Sequence, residues 1–479
     1  MRRDCIFELP RGSICGVAAL LVAAAIFSSG SSLWAGCPVA ELVASDASPW
    51  VNFGKAVATS ADGGVILIGA PNTSGETYLF VREGSGYVEL LQLIPADREA
   101  DDIPGIAVAL SHDGATALMT MSDDDADHGV GYVFVQRGQT WIEQASLLPP
   151  EPPVGAGFGG REGAALSADG NTAVIGASLD DELGQDAGAA HVFVRNPETS
   201  EWTYQDKLIA SDGHEGVCFG TSVAMSGDGN VVVAGAHQDD VATGAAYVFV
   251  REPKTSQWTE QIKLTASDAE PIALFGSSVA ISADGETILV GAADDDEQAV
   301  GAGAAYVFVR DGHDWFEQAK LTAFDGSFID SFGSSVALSA DGDRAVIGAL
   351  HATSGLGAAY FFTRNGSAWT QRSKFGVCDG GHLDLFGEQV DISGDGQTAL
   401  VGSRWRDIDF MNQGAAYVYD LDAASCADLT GDGQVGVDDL LWLLATWGPC
   451  TWPYVCPADL NGDCIIGVAD LLILLGSWG

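Results

Sequence analysis

The chain has 479 residues, enough for two or three domains, and carries 66 Asp and Glu residues against 21 Lys and Arg. The formal net charge of −45 excludes nucleic acid as the expected partner, because phosphate binding needs clustered Lys and Arg. The charge favours cations as ligands, or else a strongly solvated surface suited to a salty medium.

The N-terminus predicts an export signal over residues 1–35. Arg2, Arg3 and Arg11 precede an apolar run at 17–27, which is too short to span a bilayer but fits the core of a signal peptide. Cleavage is expected after Ala35. No later stretch is long and apolar enough for a membrane span, so the mature protein is expected to be secreted or held at the cell surface.

Cysteine usage agrees with export. Of the nine cysteines, Cys5 and Cys15 leave with the signal, and the remaining seven predict some disulfides and one unpaired thiol. Leu33 to Cys37 also resembles a lipoprotein box, which would give Cys37 a lipid anchor. Trp34 stands where such a box usually has a small residue, so cleavage without lipidation is the favoured alternative.

An internal repeat dominates the mature chain. A Ser-x-Asp-Gly turn recurs seven times, at intervals of about 51 to 59 residues, a period typical of propellers. Its aspartates are Asp62, Asp113, Asp169, Asp228, Asp284, Asp341 and Asp395.

Each repeat predicts four strands. In the copy that starts at Phe275, Val279 and Ile281 alternate with small residues, and Gly285 allows the tight turn that follows. A second apolar run, a Tyr-Val-Phe-Val-Arg run from Tyr306 and a fourth run from Trp315 complete the unit. Seven units of four strands predict an all-β, seven-bladed β-propeller.

The repeats resemble the FG-GAP family, whose best-known members form the head of integrin α chains. The resemblance covers residues 39–421 and implies a propeller that acts in adhesion or in ligand binding. The Phe-Gly pair stands at Phe53, Phe158, Phe219, Phe275, Phe332 and Phe386. The second copy has Pro104-Gly105 instead, so its blade is expected to pack less regularly.

Integrin-type repeats carry a calcium loop between the first and second strands. Here the short Ser-x-Asp-Gly turn occupies that place and offers too few oxygens for the six to eight ligands of calcium. The propeller is therefore expected to lack the calcium sites of the family.

The two ends of the repeat array predict how the ring closes. Residues 39–45 resemble the fourth strand of a blade, whereas the last blade has no fourth strand after Tyr417-Val418-Tyr419. The N-terminal strand is therefore expected to complete the last blade and to seal the propeller domain, residues 37–425. Antiparallel pairing would bring Cys37 beside Cys426 and predicts a disulfide there.

Connections in a four-stranded blade alternate between two faces, so the loops before each first strand share a face with those between the second and third strands. These loops are rich in aspartate, and the sequence predicts an acidic face that binds a cation, a protein or a glycan, or else loops that are merely acidic. Its residues are Asp123 to Asp125, Asp180, Asp181, Asp212, Asp239, Asp240, Asp268, Asp294 to Asp296, Asp325, Asp330, Asp379 and Asp384.

Residues 426–479 predict a small α-helical domain with two calcium loops. Oxygens recur at positions 1, 3, 5, 7 and 12 of each loop, as in an EF-hand, with a backbone carbonyl at position 7. The first Ca²⁺ would be held by Asp428, Thr430, Asp432, Gln434 and Asp439, and the second by Asp459, Asn461, Asp463, Ile465 and Asp470. Each loop opens a helix with a Leu-rich stripe.

This tail resembles dockerin domains, which anchor secreted proteins to cohesin modules, so a cohesin-like or cell-surface partner is implied. Two features depart from that family. Cys464 replaces the Gly of the sharp turn, and Val437, Asp438, Val468 and Ala469 stand where partner-binding hydroxyl residues are common. A calcium-folded tail used only for sorting or stability is the alternative.

No nucleophile elbow, P-loop, dinucleotide fingerprint or His-Glu-x-x-His motif occurs, and no catalytic residue is assigned. We therefore expect a non-enzymatic binding or adhesion protein, displayed or anchored through its tail. An extracellular carbohydrate-active enzyme is the runner-up, and a structural surface component is a third hypothesis.

Overall fold

We describe the protein from a computed structural model. It describes residues 38–72, 76–84, 86–98, 102–122, 129–150, 157–159, 163–377, 383–408, 410–421, 435–449, 465–468, 471 and 474–475. The expected signal, residues 1–35, lies outside this part.

The described residues form seven four-stranded antiparallel sheets, which we number as blades 1 to 7. Blades 1 to 3 contain β2 (Ala56–Thr59), β3 (Val65–Gly69), β4 (Thr77–Glu83) and β5 (Gly86–Leu93); β6 (Ile103–Leu110), β7 (Thr116–Ser122), β8 (Val130–Arg137) and β9 (Thr140–Leu147); β10 (Ala164–Leu166), β11 (Thr172–Ala177), β12 (Ala189–Arg195) and β13 (Trp202–Leu208). Blades 4 and 5 contain β14 (Val223–Met225), β15 (Val231–Ala236), β16 (Ala245–Arg251) and β17 (Trp258–Leu264); β18 (Phe275–Ile281), β19 (Thr287–Ala292), β20 (Ala304–Asp311) and β21 (Asp314–Leu321). Blades 6 and 7 contain β22 (Phe332–Leu338), β23 (Arg344–Ala349), β24 (Ala358–Asn365) and β25 (Ala368–Phe375); β26 (Val390–Ile392), β27 (Thr398–Ser403), β28 (Ala415–Asp420) and the N-terminal β1 (Pro38–Leu42). The predicted seven-bladed propeller is confirmed.

The middle strands of each blade are buried on both sides because neighbouring blades cover both faces of the sheet. All six residues of β19 are buried, which explains why these strands read as continuous apolar runs. The fourth strand lies at the outer wall and is only partly buried, so β21 mixes apolar and polar residues.

The glycine of the second strand is required by a close approach between blades. A Cβ built on Gly235 would lie 2.0 Å from the carbonyl oxygen of Gly276 in the next blade, so no side chain fits there. Blade 2 has Thr120 at this position, and its hydroxyl instead donates a 2.6 Å hydrogen bond to the carbonyl of Gly159. Glycine at this position is therefore a packing requirement in the other six blades.

Blade 2 keeps regular strand pairing in spite of its Pro104-Gly105. Pro104 pairs with Met121 in the register in which Phe275 pairs with Ala292. Gly105 has φ +74°, close to the +86° of Gly276. The expectation of a less regular blade is wrong in this respect, because Pro and Gly adopt the backbone that Phe-Gly adopts elsewhere.

The N-terminal strand closes the ring. β1 pairs antiparallel with β28, with Glu41 opposite Tyr417. The strand ends at Leu42 rather than at residue 45 because Ser45 reaches the next blade, where its backbone N–H and hydroxyl donate to the Glu89 carboxylate at 2.9 and 2.8 Å. Cys37 and Cys426 lie outside the described residues, so their disulfide and the boundaries 37–425 and 426–479 stay predictions; Cys218 is a free thiol.

A circle of backbone hydrogen bonds joins the seven Ser-x-Asp-Gly turns around the central channel. Each turn donates from one N–H to a carbonyl of the next turn, at 2.8 to 3.0 Å. Six bonds join equivalent residues: Ala61 to His112, His112 to Ala168, Ala168 to Gly227, Gly227 to Ala283, Ala283 to Ala340, and Ala340 to Gly394. The seventh is offset by one residue and runs from the Asp395 N–H to the Ala61 carbonyl.

The helices of the described residues are short. α1 (Asp239–Ala242) is a single turn in a loop, and its residues Asp240 and Val241 have non-helical backbone angles. α2 (Ala352–Gly355) is also a single turn in a loop, and α3 (Val437–Ala445) is followed by a small ladder of β29 (Gly448–Pro449) and β30 (Ile465–Ile466). None of the described helices has the length and apolarity needed to cross a membrane.

A hydrogen bond between outer strands links most adjacent blades. In blades 3 to 6 the indole N–H of the Trp that opens the outer strand donates to a Gln of the preceding blade at 2.9 to 3.3 Å. The pairs are Trp202 with Gln144, Trp258 with Gln205, Trp315 with Gln261, and Trp369 with Gln318. In blade 1 the Gln position holds Leu90, and the buried Trp141 Nε1 has no partner among the described residues.

The substitution Leu90→Gln should therefore stabilise the protein by about 1 kcal/mol, since it gives a buried donor the acceptor that it lacks. Chemical denaturation of the full chain measures this change. The matched control Gln261→Leu should destabilise the protein by about 1 kcal/mol or more, because it leaves the indole N–H of Trp315 without an acceptor. A neutral Leu90→Gln alongside a destabilising control would contradict this explanation of the outer wall.

Candidate functional site

Two kinds of loop meet on one face of the propeller, which we call the loop face. It consists of the connections that enter each first strand and those between the second and third strands. The opposite, turn face carries the Ser-x-Asp-Gly turns and the turns between third and fourth strands. The acidic residues expected from the sequence belong to the loop face.

Many of these aspartates are held by a lysine from the outer strand. Lys320 Nζ lies 2.7 Å from Asp268, 2.9 Å from Asp295 and 2.8 Å from Glu297. The hydroxyl oxygen of Tyr306 lies 2.7 Å from a carboxylate oxygen of Asp268 and 2.8 Å from one of Asp295, and its single proton is shared between them. Equivalent clusters join Lys263 to Asp212 and Asp239, Lys207 to Asp180 and Glu182, and Lys374 to Asp325.

The pKa values of Lys320 and Asp268 are both shifted towards the charged forms. Burial acts to lower the pKa of Lys320, but the three carboxylates more than offset this and the pKa is raised. Burial acts to raise the pKa of Asp268, yet the bonds from Lys320 and Tyr306 hold it below its usual value. These carboxylates are therefore structural, and no group of three or more metal-binding side chains occurs among the described residues.

The predicted acidic residues thus divide by exposure into a buried set and an exposed set, with Asp294 and Asp325 half-buried. Asp180, Asp239, Asp295, Asp330 and Asp384 are buried, which corrects the expectation that all of them face a ligand. The exposed carboxylates of the described loops are Asp46, Asp97, Asp181, Glu182, Asp212, Glu215, Asp240, Asp268, Glu270, Asp296, Glu297 and Asp407. The described parts of these loops expose no Lys or Arg, so the accessible charge of the loop face is negative. Asp123 to Asp125 and Asp379 lie outside the described residues.

Exposed apolar side chains also collect on the loop face. We name seven of them the apolar arc: Trp50, Val241, Ile272, Val300, Ile329, Leu383 and Met411. Val241 is 76% exposed and Ile272 is 61% exposed. The described residues of the turn face expose no large hydrophobic side chain. This asymmetry distinguishes the two faces more sharply than charge does, because the aspartates of the turns are exposed as well.

Five arc residues have an unfavourable backbone conformation, and one of them is Val241, with φ +61°. Trp50, Ile272, Ile329 and Leu383 each precede the Phe of a Phe-Gly pair by three positions, with φ of +67°, +71°, +59° and +77°. Blade 4 has Gly216 at this position, with φ +82°. A bulky side chain in this region costs about 1 kcal/mol or more relative to Gly. The loops therefore keep large apolar groups in water at positions where glycine would be more stable.

Backbone hydrogen bonds place the arc residues side by side. The Trp50 N–H donates to the Met411 carbonyl and the Ile329 N–H to the Val300 carbonyl, both at 2.9 Å. The Leu274 N–H donates to Ala242, next to Val241, at 3.0 Å. Each bond joins a loop of one blade to the entry loop of the next, so the arc runs from blade 4 to blade 1.

The central channel offers a different environment. Its cavity of about 250 Å³ is lined by the first strands, mostly with Val, Ala, Leu and Ile. The titratable side chains among the lining residues are His112 and Asp391. Asp391 accepts a 2.7 Å hydrogen bond from the Thr59 N–H across the seam, and burial raises the pKa of its carboxyl to about 7. The other six blades have an alanine at the position of Asp391, as Ala58 shows in blade 1.

The predicted calcium ligands lie mostly outside the described residues: Asp428, Thr430, Asp432, Gln434, Asp459, Asn461, Asp463 and Asp470. The structure describes Asp439, which is buried and accepts a 2.7 Å hydrogen bond from the Gly436 N–H at the start of α3. It also describes Ile465, which pairs with Pro449. The two calcium sites therefore stay predictions.

The family profile of the FG-GAP repeat matches residues 141–193, 202–249, 258–308, 315–362 and 369–419. The chain belongs to the FG-GAP repeat family. Each matched segment of this FG-GAP protein begins at or near an outer strand and ends on the third strand of the next blade.

Other comparisons concern the fold. A chain of the crystal structure of the mitotic checkpoint complex aligns with a TM-score of 0.51 and 11% identity, covering 88% of this chain and 99% of that chain. At that identity the likeness shows the fold alone. No curated protein matches the chain. An FG-GAP propeller is consistent with ligand binding or adhesion.

Proposed function

We propose that this FG-GAP protein is an exported binding or adhesion protein that takes a ligand on its loop face and is anchored or displayed through its C-terminal tail. The observation that supports this most directly is the asymmetry of the two faces. Exposed apolar groups and strained loop backbone occur together on one face of a rigid ring. Loops carried by a rigid scaffold are where binding sites concentrate.

The central channel supports binding rather than turnover. Its described wall is largely aliphatic, and the carboxylate of Asp391 accepts a hydrogen bond from the backbone of Thr59. The substrate of a carbohydrate-active enzyme would need convergent polar groups to orient it. FG-GAP repeats are typical of extracellular proteins, which agrees with the export signal predicted from residues 1–35.

The full chain should bind one class of ligand on an array of glycans and matrix proteins, and should release no sugar from polysaccharides incubated with it. Binding without turnover is the expected result, because the apolar arc and exposed carboxylates form a surface rather than a reaction centre. Sugar release would contradict the proposal and favour the carbohydrate-active enzyme. An array without any bound ligand would also overturn it.

We further propose that residues 426–479 bind two Ca²⁺ ions and form the anchoring module. Asp439 supports this, since its buried carboxylate is fixed at the first turn of α3, where the last ligand of an EF-hand loop stands. Bound Ca²⁺ would supply the charge that lets the acidic loop residues fold together.

Calcium should therefore protect residues 428–445 and 459–475 of the full chain from hydrogen exchange, relative to chelator. The double variant Asp428→Asn, Asp459→Asn should lose that protection and keep the protection of the propeller strands. Equal exchange with and without calcium would show that the assignment of the two loops is wrong.

A further inference from the structure

We propose that the apolar arc is the docking surface for a cationic polypeptide segment of another protein, one that carries bulky apolar side chains between Lys or Arg residues. The proposal rests on the binding function proposed above. It deepens that function by choosing a protein segment over a glycan and by locating the contact on the loops from blade 4 to blade 1.

The charge of the loop face indicates that the partner segment is positively charged. Asp240, Glu270, Asp296 and Asp407 lie exposed within the loops that carry the arc, and the described parts of the loop face expose no Lys or Arg. A second copy of this chain, with its net charge of −45, would be repelled, as would a sulfated glycan. A basic segment would be attracted and would lose affinity as salt rises.

The apolar side chains of the arc indicate that the partner segment also carries bulky apolar side chains. Six of the seven arc residues are aliphatic or Met, and only Trp50 is aromatic: the six are Val241, Ile272, Val300, Ile329, Leu383 and Met411. A neutral glycan would have to bury hydroxyls against these side chains without hydrogen bonds, which is costly. An apolar side chain meets no such penalty, so a peptide segment fits this surface better than a sugar does.

Backbone strain at the arc predicts an effect on stability that surface exposure alone does not predict. Ile272, Ile329 and Leu383 hold positive φ values that glycine or asparagine adopts more readily. If these side chains serve a partner, removing them should improve the stability of the free protein while weakening binding.

The test uses the full chain and a short synthetic peptide of Leu, Trp and Lys, measured by fluorescence anisotropy. The triple variant Ile272→Asn, Ile329→Asn, Leu383→Asn should bind this peptide at least ~10-fold more weakly than the unaltered chain. Its Tm should rise by about a degree or more. Binding to the unaltered chain should also weaken between ~0.05 and ~0.5 M salt.

A matched control separates the arc from exposed apolar surface in general. Val88, Ile142 and Phe316 are exposed on outer strands, at positions where blades 3, 4 and 6 have Thr203, Thr259 and Thr370. The variant Val88→Thr, Ile142→Thr, Phe316→Thr should keep its affinity for the peptide. Peptides with Glu in place of Lys, or with Ser in place of Leu and Trp, should bind at least ~10-fold more weakly to the unaltered chain.

The inference is overturned if the arc variant binds as tightly as the unaltered chain, if the control variant loses as much affinity, or if the peptide does not bind. The inference is also overturned if the ligand found on the array is a glycan, or if it is a protein that still binds the arc variant. In both cases the proposed binding function would remain valid. If no ligand on the array binds to the protein, the proposed binding function is itself contradicted, whether or not the synthetic peptide binds.

Discussion

Closure of the ring is the constraint on which the rest of the structure depends. The seventh blade has three strands of its own and takes its fourth, β1, from the beginning of the described chain. The circle of turn-to-turn hydrogen bonds is completed only when Asp395 reaches Ala61 across the same seam. The loop face exists because this closure fixes neighbouring loops against one another. At the seam, the hydrogen bond from the Trp50 N–H to the Met411 carbonyl joins the loops of blades 1 and 7.

The seam also reverses the charges of the repeated cluster. In blade 4 the lysine stands on the outer strand, as Lys263, and the carboxylate in the loop, as Asp239. In blade 7 the outer strand carries Glu41 instead, and the loop carries Arg406. The Tyr417 hydroxyl joins the two, since it donates to Glu41 at 2.9 Å and accepts from Arg406 Nε at 3.2 Å. The reversal distinguishes β1 from the other outer strands, so it specifies which strand completes the last blade.

The sequence predicted the fold because periodicity and turn chemistry are local. The recurring Asp-Gly turns and the Tyr-Val-Phe-Val runs give the count of blades and strands, and the fourth strand missing after Tyr419 gives the closure. Side-chain pairing across loops is not local, so the burial of Asp239 and Asp295 against Lys263 and Lys320 was missed. The apolar arc was missed too, because φ cannot be read from a residue type. Its one signal was a large apolar residue three positions before Phe-Gly.

The most direct test of this account is a double-mutant cycle across the seam, measured by chemical denaturation of the full chain. Glu41→Lys and Arg406→Asp should each destabilise the protein, since each opposes like charges around Tyr417. The double variant restores opposite charges at positions 41 and 406, and the cycle should show a favourable coupling of about 0.5 to 3 kcal/mol. The loss of the ion pair between Arg406 and the buried Asp384 is common to both Arg406 variants and cancels in the cycle. Additive losses in the double variant would contradict the claim that β1 completes the seventh blade through this cluster.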